Sequence, residues 1–525
     1  MKPNSNLYLL NVEFDKNYKN LIDFENKTEQ NKYFESLVNA NNVYENYTYL
    51  PTSKTIKVQA KYDDIYNFNY LFYNNTSVTN KRYFAFITNL TYINENTTEI
   101  TFEIDVWQTY QFEINFNKSF IEREHVNDDS LGLHTYPENL ETGEFKINGT
   151  IENYDLFTEG KGIIMMCLVN PETGEPINLS GGVYNGVFSG VTYYYFADAN
   201  VLSIYIENLD KKGASDSIVG IFMCPKKLID VTGSPQFYAK VNESNSEFSE
   251  NWNISIPTTL NGYVPKNKKL FTSQFSFLNI DNNSGVIQKY MYERMNINND
   301  KSLFEVVSAV TPGMSVRCFP RGYNNINRTE RVNEVGINLG KFPTCAWVND
   351  MYVNWLTQNS LNIGVSAASS GLQIAGGLGL LATGAGAGAG ASMISSGILG
   401  IASTLGSMQE KSTQPMSSAG NLNSGDVTFA SDFLTFSAYN MCPSPEYIEI
   451  IDNYFSQFGY KVAKLKDVNF KSRKYWNYIK TIDVNITGSI NQNDLIILNQ
   501  IFNNGTTIWH SPDEIYDYSL DNYIV

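Results

Sequence analysis

Residues 351–409 contain no charged side chain, a run of 59 positions in a chain of 525 residues of which 18% are charged. Trimmed to residues 361–408, the run holds 15 large aliphatic residues and 31 Gly, Ala, Ser or Thr, with no proline and no aromatic. Such a stretch is too apolar for a linker, which is normally polar. It is also too long for a structureless loop in a compact domain unless it has a function or a covering partner. Ile394, Ile398, Ile401, Leu405 and Met408 step by four and three, as do Leu361, Val365, Ala368, Leu372 and Ala375, so two helical arms are predicted. Gly384, Gly386, Gly388 and Gly390 place a bend between them. As a helix, the arm 391–408 is roughly 27 Å long, close to the roughly 30 Å hydrocarbon core of a bilayer. Small residues recur at every fourth position, at Ala367, Gly371, Ala375 and Gly379 and again at Ser392, Ser396 and Gly400, a spacing that lets helix backbones touch in lipid. Against this, twelve glycines, each costing roughly 1 kcal/mol relative to alanine in a helix, make order conditional on packing or lipid. The competing reading is a Gly/Ala linker or a buried core hairpin.

The remainder of the chain is of another character. With 35 Tyr and 31 Phe, aromatics carry much of the burial, which favours sheet, and the length demands more than one core. The segments "KTIKVQA", "NYLFYN", "RYFAFIT" and "EITFEIDVW" between residues 54 and 107 read as an antiparallel meander. In the last of them Ile100, Phe102, Ile104 and Val106 share one face and Thr101, Glu103 and Asp105 the other, so one side is expected to be buried and one wet. "EREHVNDD" (122–129) reads as a solvated connector. Beyond it, "GIIMMCLVN" and "YYYF" are predicted strands, and "DANVLSIYIENLDKKG" a helix closed by Gly213. In "SPEYIEIIDNYFSQFG", Ser444 is positioned to cap a helix with Pro445 in its first turn, and Ile448, Ile451, Phe455 and Phe458 form its buried stripe.

Composition and motifs exclude several functions. A formal net charge of -16 argues against gripping phosphate backbones, which needs clustered Lys and Arg. The five cysteines are far apart and form no C-x-x-C pair, so buried free thiols are expected in place of a zinc site or disulfide framework. The N-terminal apolar run is too short for a secretory signal, so synthesis in a cytoplasm is expected. His125 and His134 among Glu122, Glu124, Asp128 and Asp129 match no metal-ligand spacing. "GLGLLA" (377–382) fits a dinucleotide fingerprint only formally, since no strand leads into it, and there is no P-loop and no G-x-S-x-G elbow. No catalytic site, cofactor or metal is predicted.

The stretches flanking the uncharged run carry a resemblance. "TFEIDVWQTYQFEINFNKSFIEREHVNDD" (101–129) and "KSRKYWNYIKTIDVNITGSI" with "LIILNQIFNNGTTIWH" (471–510) resemble the tail knob, or distal tail tube, proteins of small short-tailed phages infecting Gram-positive bacteria. "GGVYNGVFSGVTYYYF" and "SDSIVGIFMCPKKL" fit that family's middle region, and the uncharged run falls where the family carries a long hydrophobic loop. The resemblance spans essentially the whole chain. It implies a mainly β fold with α/β insertions (α+β): a β-rich tube domain over residues 1–125, a mixed α/β knob region over 126–345, the hydrophobic loop and its flanks over 346–430, and a C-terminal part over 431–525 returning to the body.

The resemblance also implies a non-enzymatic virion protein at the phage tail tip. It is expected to form a homohexamer with other phage tail proteins around a lumen through which DNA passes without specific binding. The loops are expected to plug the lumen and then enter the host cytoplasmic membrane. The membrane-active residues are then Leu361, Val365, Leu372, Ile374, Leu378, Leu380, Leu381, Gly384, Gly386, Gly388, Gly390, Ile394, Ile398, Leu399, Ile401, Leu405 and Met408. Alternatives from other classes are a pore-forming toxin and a tail-associated glycan-binding or wall-degrading protein.

Overall fold

The computed structural model describes residues 5–14, 16–50, 54–75, 81–177, 182–214, 217–233, 237–283, 287–298, 301–310, 315–324, 345–348 and 435–525. The chain divides into two units, each drawn from separated stretches: residues 1–143, 265–270 and 445–525 in one, and 144–264 with 271–444 in the other. Strand pairing among the described residues is antiparallel except where Asn20–Ile22 runs parallel to Thr506–Trp509. The mainly β expectation holds.

The first unit is built on two large sheets, beside a two-stranded ladder of Ile114–Phe116 with Ile486–Gly488. The larger has seven strands in the order Val43–Tyr44, Leu7–Leu10, Tyr70–Asn75, Lys81–Asn94, Thr97–Ile104, Thr55–Val58 and Tyr47–Leu50. Its outer part follows the expected pattern. Ile56, Val58, Ile100 and Phe102 are buried on one face, whereas Lys57, Thr101 and Glu103 of the other face are wholly or partly exposed. The inner part departs from it: Tyr70, Phe72, Phe84 and Phe86 are as buried as Leu71, Tyr73 and Ala85 on the opposite face. The reason is the helix Lys27–Ser36, whose Phe34 stacks on Tyr70 at 5.6 Å and sits 4.5 Å from Phe84. A second difference lies at the end of the meander. Asp105 is not on a wet strand face; it is buried and caps the helix Val106–Tyr110, accepting hydrogen bonds from the Trp107 and Gln108 amides. Tyr70 donates a third bond to it at 2.8 Å, and burial still pushes the Asp105 carboxyl up to about 6.

The smaller sheet of this unit has five strands, in the order Asn20–Ile22, Thr506–Trp509, Trp476–Asp483, Ser119–Glu124 and Tyr460–Lys466. This corrects, for residues 122–126, the reading of residues 122–129 as a solvated connector, while Asn127 and Asp128 are exposed. Ser119–Glu124 has a strand on each side, so its charges are answered across the ladder: Lys480 meets Glu122 at 2.8 Å and Lys466 meets Glu124 at 2.5 Å. His125 is 2% exposed. The Tyr478 amide donates to its Nδ1 at 2.8 Å and its Nε2 lies 3.1 Å from the Ser456 carbonyl, which requires a neutral ring with the proton on Nε2. Burial lowers its pKa to about 3.

The same unit contains a buried ionic cluster. Glu138 accepts from Lys269 Nζ at 2.6 Å and from the Lys461 amide at 2.8 Å, and it also pairs with Arg123. The side chains of Lys269 and Glu138 are 0% and 2% exposed. Beside it Asp452, on the helix Pro445–Phe458, accepts from the Lys266 amide at 2.8 Å and from the Asn267 amide and side chain at 3.0 and 2.8 Å. These two carboxylates hold the isolated segment 265–270. The helix is where the sequence places it, with Ile448, Ile451 and Phe455 of the expected stripe buried and Phe458 half-buried, and the Ser444 hydroxyl donates to the Glu144 carbonyl. Gly459 ends the helix at a φ of 64°, and a Cβ there would come 2.0 Å from the Glu124 carbonyl oxygen.

The second unit contains the sheet Ile218–Pro225, Lys161–Cys167, Thr192–Phe196 and Tyr238–Lys240, packed against the helix Ala199–Lys211. Gly213 follows that helix at a φ of 66°, as the sequence predicts, and Asp198 caps its start. The described thiols Cys167, Cys318 and Cys442 are buried.

Two outcomes follow. Glu138→Ala strands Lys269 and Arg123 in the interior and is expected to destabilise the protein by about 3–5 kcal/mol in chemical denaturation, whereas Lys269→Met, which keeps the Arg123–Glu138 pair, costs less. His125 titrates near 6.5 when unfolded and about 3 when folded. Its contribution is therefore full above pH 6.5 and is lost as pH falls toward 3, by about 1.4 kcal/mol per pH unit. The stability of His125→Gln is expected to fall less steeply than wild type between pH 7 and 5.

Candidate functional site

The predicted membrane-active residues, from Leu361 to Met408, lie outside the described residues. The strands that bracket them do not. Cys345–Val348 pairs antiparallel with Ser315–Pro320, at Cys318 with Cys345 through Ser315 with Val348. On the far side, Thr435–Cys442 is an interior strand between Lys146–Asp155 and Phe277–Asp281, with Phe436, Ala438 and Cys442 buried. Ser437 on its other face donates to Asn153 at 2.8 Å and accepts from Asn283 at 3.1 Å. Both bracketing strands belong to the second unit, and the ladder hydrogen bonds fix the chain before residue 349 and after residue 434.

The second functional surface foreseen in the sequence, the wet face of the meander, is present on the outer strands of the seven-stranded sheet. It carries charges of both signs. Lys57 lies 3.6 Å from Glu99 across the ladder, and Glu103 is 3.8 Å from Lys16. These are exposed pairs, each worth at most about 1 kcal/mol. Tyr92 and Ile93, at the end of the long strand Lys81–Asn94, are exposed. No continuous lining of Lys and Arg runs along this face among the described residues.

Titratable groups elsewhere in the first unit serve structure. His134 contacts the Asp128 carbonyl at 2.7 Å, and burial lowers its pKa despite that contact. Tyr460 donates to Asp129 at 2.7 Å, and burial raises its pKa above the usual range. The basic stretch 471–474 divides: Lys471 and Lys474 are exposed, but Arg473 is half-buried and lines a cavity of about 520 Å³ together with Trp476, Tyr518 and Asn522. Nothing in the local sequence marks this cavity, because its wall is closed by the C-terminal residues Tyr518 to Ile524.

Comparison with known proteins gives this architecture its context. Residues 238–523 match the family model for the Bacillus phage phi29 tail knob protein gp9, C-terminal domain, and residues 4–115 match the caudoviral major tail protein N-terminus. The chain is similar to the tail knob protein gp9 of Bacillus phage PZA, with 26% identity over 98% of this chain and 97% of that one. The corresponding protein of Bacillus phage phi29 is 25% identical over the same shares. The structure of the bacteriophage C1 tail knob protein, gp12, superposes with a TM-score of 0.62 at 14% identity, covering 99% of this chain and all of that one, which shows a shared fold. The matches span both units, and the uncharged run lies within the stretch matched to the tail knob model. With more than half of its length in that model, the chain belongs to the tail knob protein family, and it is a structural component of the phage tail, not an enzyme.

Proposed function

We propose that this protein forms the distal tube and knob of a short-tailed phage as a homohexameric ring. In this reading DNA leaves through the lumen, and the loops of residues 361–408 close it until they are released into the host cytoplasmic membrane. Residues 1–125 and 431–525 would build the tube and body, and 126–345 the knob. The observation that carries the reading is the 59-residue uncharged run in a member of a tail knob family. A free copy of so large an apolar segment is unfavourable in water, whereas several copies meeting inside a ring cover one another. The bracketing strands support it: an insert tied at both ends to sheets can change its surroundings without unravelling the unit that carries it.

The wet, mixed-charge face of the outer meander suits a lumen wall. Each chain carries a formal charge of -16, so a ring of copies repels phosphate on balance, and DNA slides where a Lys- and Arg-lined wall would retain it. In membrane, the 15 large aliphatics each gain roughly 1.5–3 kcal/mol on full transfer, before the ordering of a glycine-rich chain is subtracted. Release is therefore conditional, as a plug requires.

Native mass measurement is expected to find six copies; monomers under all conditions would count against the ring. Deleting residues 361–408 is expected to leave folding and assembly intact and to abolish dye release from liposomes. Leakage at the wild-type level would move the membrane role elsewhere, and failure to fold would make the segment core. In the full chain, Ile398→Asp with Ile401→Asp is expected to abolish leakage as well, because an acid near the centre of a spanning arm costs roughly 2.5–3.5 kcal/mol on insertion scales. Undiminished leakage by this variant would show that the second arm does not cross.

A further inference from the structure

A strand at the rim of a sheet presents a row of unpaired amides and carbonyls, a template for another strand unless charges, bulges or a covering group blunt it. Among the described residues, four rim strands are longer than four residues. Three of them are guarded. Tyr460–Lys466 carries Lys461, Lys464 and Lys466, and Glu138 takes the Lys461 amide at 2.8 Å. Phe248–Ser255 carries Glu250, and its Ser255 amide and carbonyl are taken by Glu152 at 3.0 Å and by the Asn440 side chain at 3.1 Å. Lys146–Asp155 carries charges of both signs, and its ladder is interrupted between Asn148 and Glu152.

The fourth rim strand is Ile218–Pro225, in the sheet that packs on the helix Ala199–Lys211. Its eight residues include no charge. Its one register shift, at Ile218–Gly220, and its proline sit at opposite ends, so the stretch between them is open. The Lys226 amide donates to the Gly160 carbonyl at 2.9 Å, which makes Lys161 and Pro225 a pair without mutual hydrogen bonds. By alternation the backbone of Phe222 bonds to the strand Lys161–Cys167, whereas the amides and carbonyls of Ile221 and Met223 point away from it. These outward groups meet no partner among the described residues. Beside them Val219 is 52% exposed.

We propose that the edge Ile218–Pro225 is a contact surface for a second copy of this chain, which adds a strand to the sheet. The main chain of Ile221 and Met223 supplies the hydrogen bonds of attachment, and Val219 is covered as the strand arrives. Charge selects the occupant. Each copy carries a formal -16, so copies repel one another except where they meet through neutral surface. An edge without charge has nothing to complement a strongly basic or acidic partner, whereas two copies of an acidic chain meet along it without burying like charges. The inference rests on the ring proposed above and gives it one of the two unlike surfaces that a head-to-tail ring requires.

The test is native mass measurement of the full chain and of Val219→Lys, with Val219→Thr as the conservative control. The exposed position accommodates a lysine in the single copy, where it guards the edge as the lysines of Tyr460–Lys466 guard theirs. Wild type and Val219→Thr are expected to assemble, and Val219→Lys to need a concentration about tenfold or more higher. In amide hydrogen exchange, Ile221 and Met223 are expected to be slow in the assembled wild type and fast in Val219→Lys, with Phe222 slow in both. A lysine that merely unfolded the sheet would release Phe222 as well, and the exchange of the assembled wild type then decides alone. A wild type that stays monomeric under all conditions overturns the ring and this contact together. An assembled wild type in which Ile221 and Met223 exchange fast, or a folded Val219→Lys that assembles as readily as wild type, overturns the edge contact and leaves the ring standing.

Discussion

Two buried carboxylates, Glu138 and Asp452, hold together a part of the fold that the order of the chain does not supply. Residues 265–270 lie in sequence between two long stretches of the second unit, yet they belong to the first. They are retained there because Asp452 takes the amides of Lys266 and Asn267 while Glu138 takes the ammonium of Lys269. Apolar packing tolerates slippage of a short segment, because one methylene resembles the next. Two acids with fixed donors do not, since a shift of one residue would bury charges without partners at a cost of several kcal/mol. The ionic cluster therefore sets the register of this crossing. The neighbouring aromatic rings of Phe455 and Tyr460, 5.5 and 5.2 Å from Lys269 Nζ, add cation–π attraction in a dry setting.

Much of the fold was legible where one physical rule acted alone. Alternation located the strands of the meander, and cap residues located the helix Ala199–Lys211. The misreadings fall where a second element altered the environment. The burial of Phe72 and Phe84 depends on the helix Lys27–Ser36 laid over them, and that helix comes from a different part of the sequence. Asp105 reads as the next alternating polar position, but a helix start competes with strand continuation at an Asp followed by Val and Trp, and the cap prevails. The charges of residues 122–124 read as solvated because their partners, Lys480, Glu138 and Lys466, are 15 to more than 340 positions away. One local signal is present in the sequence: Asp452 sits in the apolar stripe of its own helix, between Ile451 and Phe455, where an acid needs a buried donor.

The functional regions divide in the same way. The uncharged run is a statement of composition, so it is visible without any fold. Its bracketing strands are less visible, because "CAWV" and "TFSAYNMC" are short and acquire meaning only from the ladders they join. The cavity around Arg473 and Trp476 could not have been read at all. It is formed by residues drawn from five separate stretches between 127 and 524, which only the fold brings together.

The charge distribution links these regions. Many of the chain's cations are used internally: Lys269 and Arg123 on Glu138, Lys466 on Glu124, Lys480 on Glu122 and Lys57 on Glu99. Positive charge spent on a neighbouring carboxylate is not available to displace counterions from nucleic acid. A protein of net charge -16 that further neutralises its own lysines presents a weakly interacting surface to a passing polyanion. The same economy makes one exception informative. Fifty-nine consecutive positions are left without charge in a chain where charge is otherwise common. This is a local departure from a rule that the rest of the molecule keeps, and departures of that kind are expected where a site, and not the fold, sets the residues.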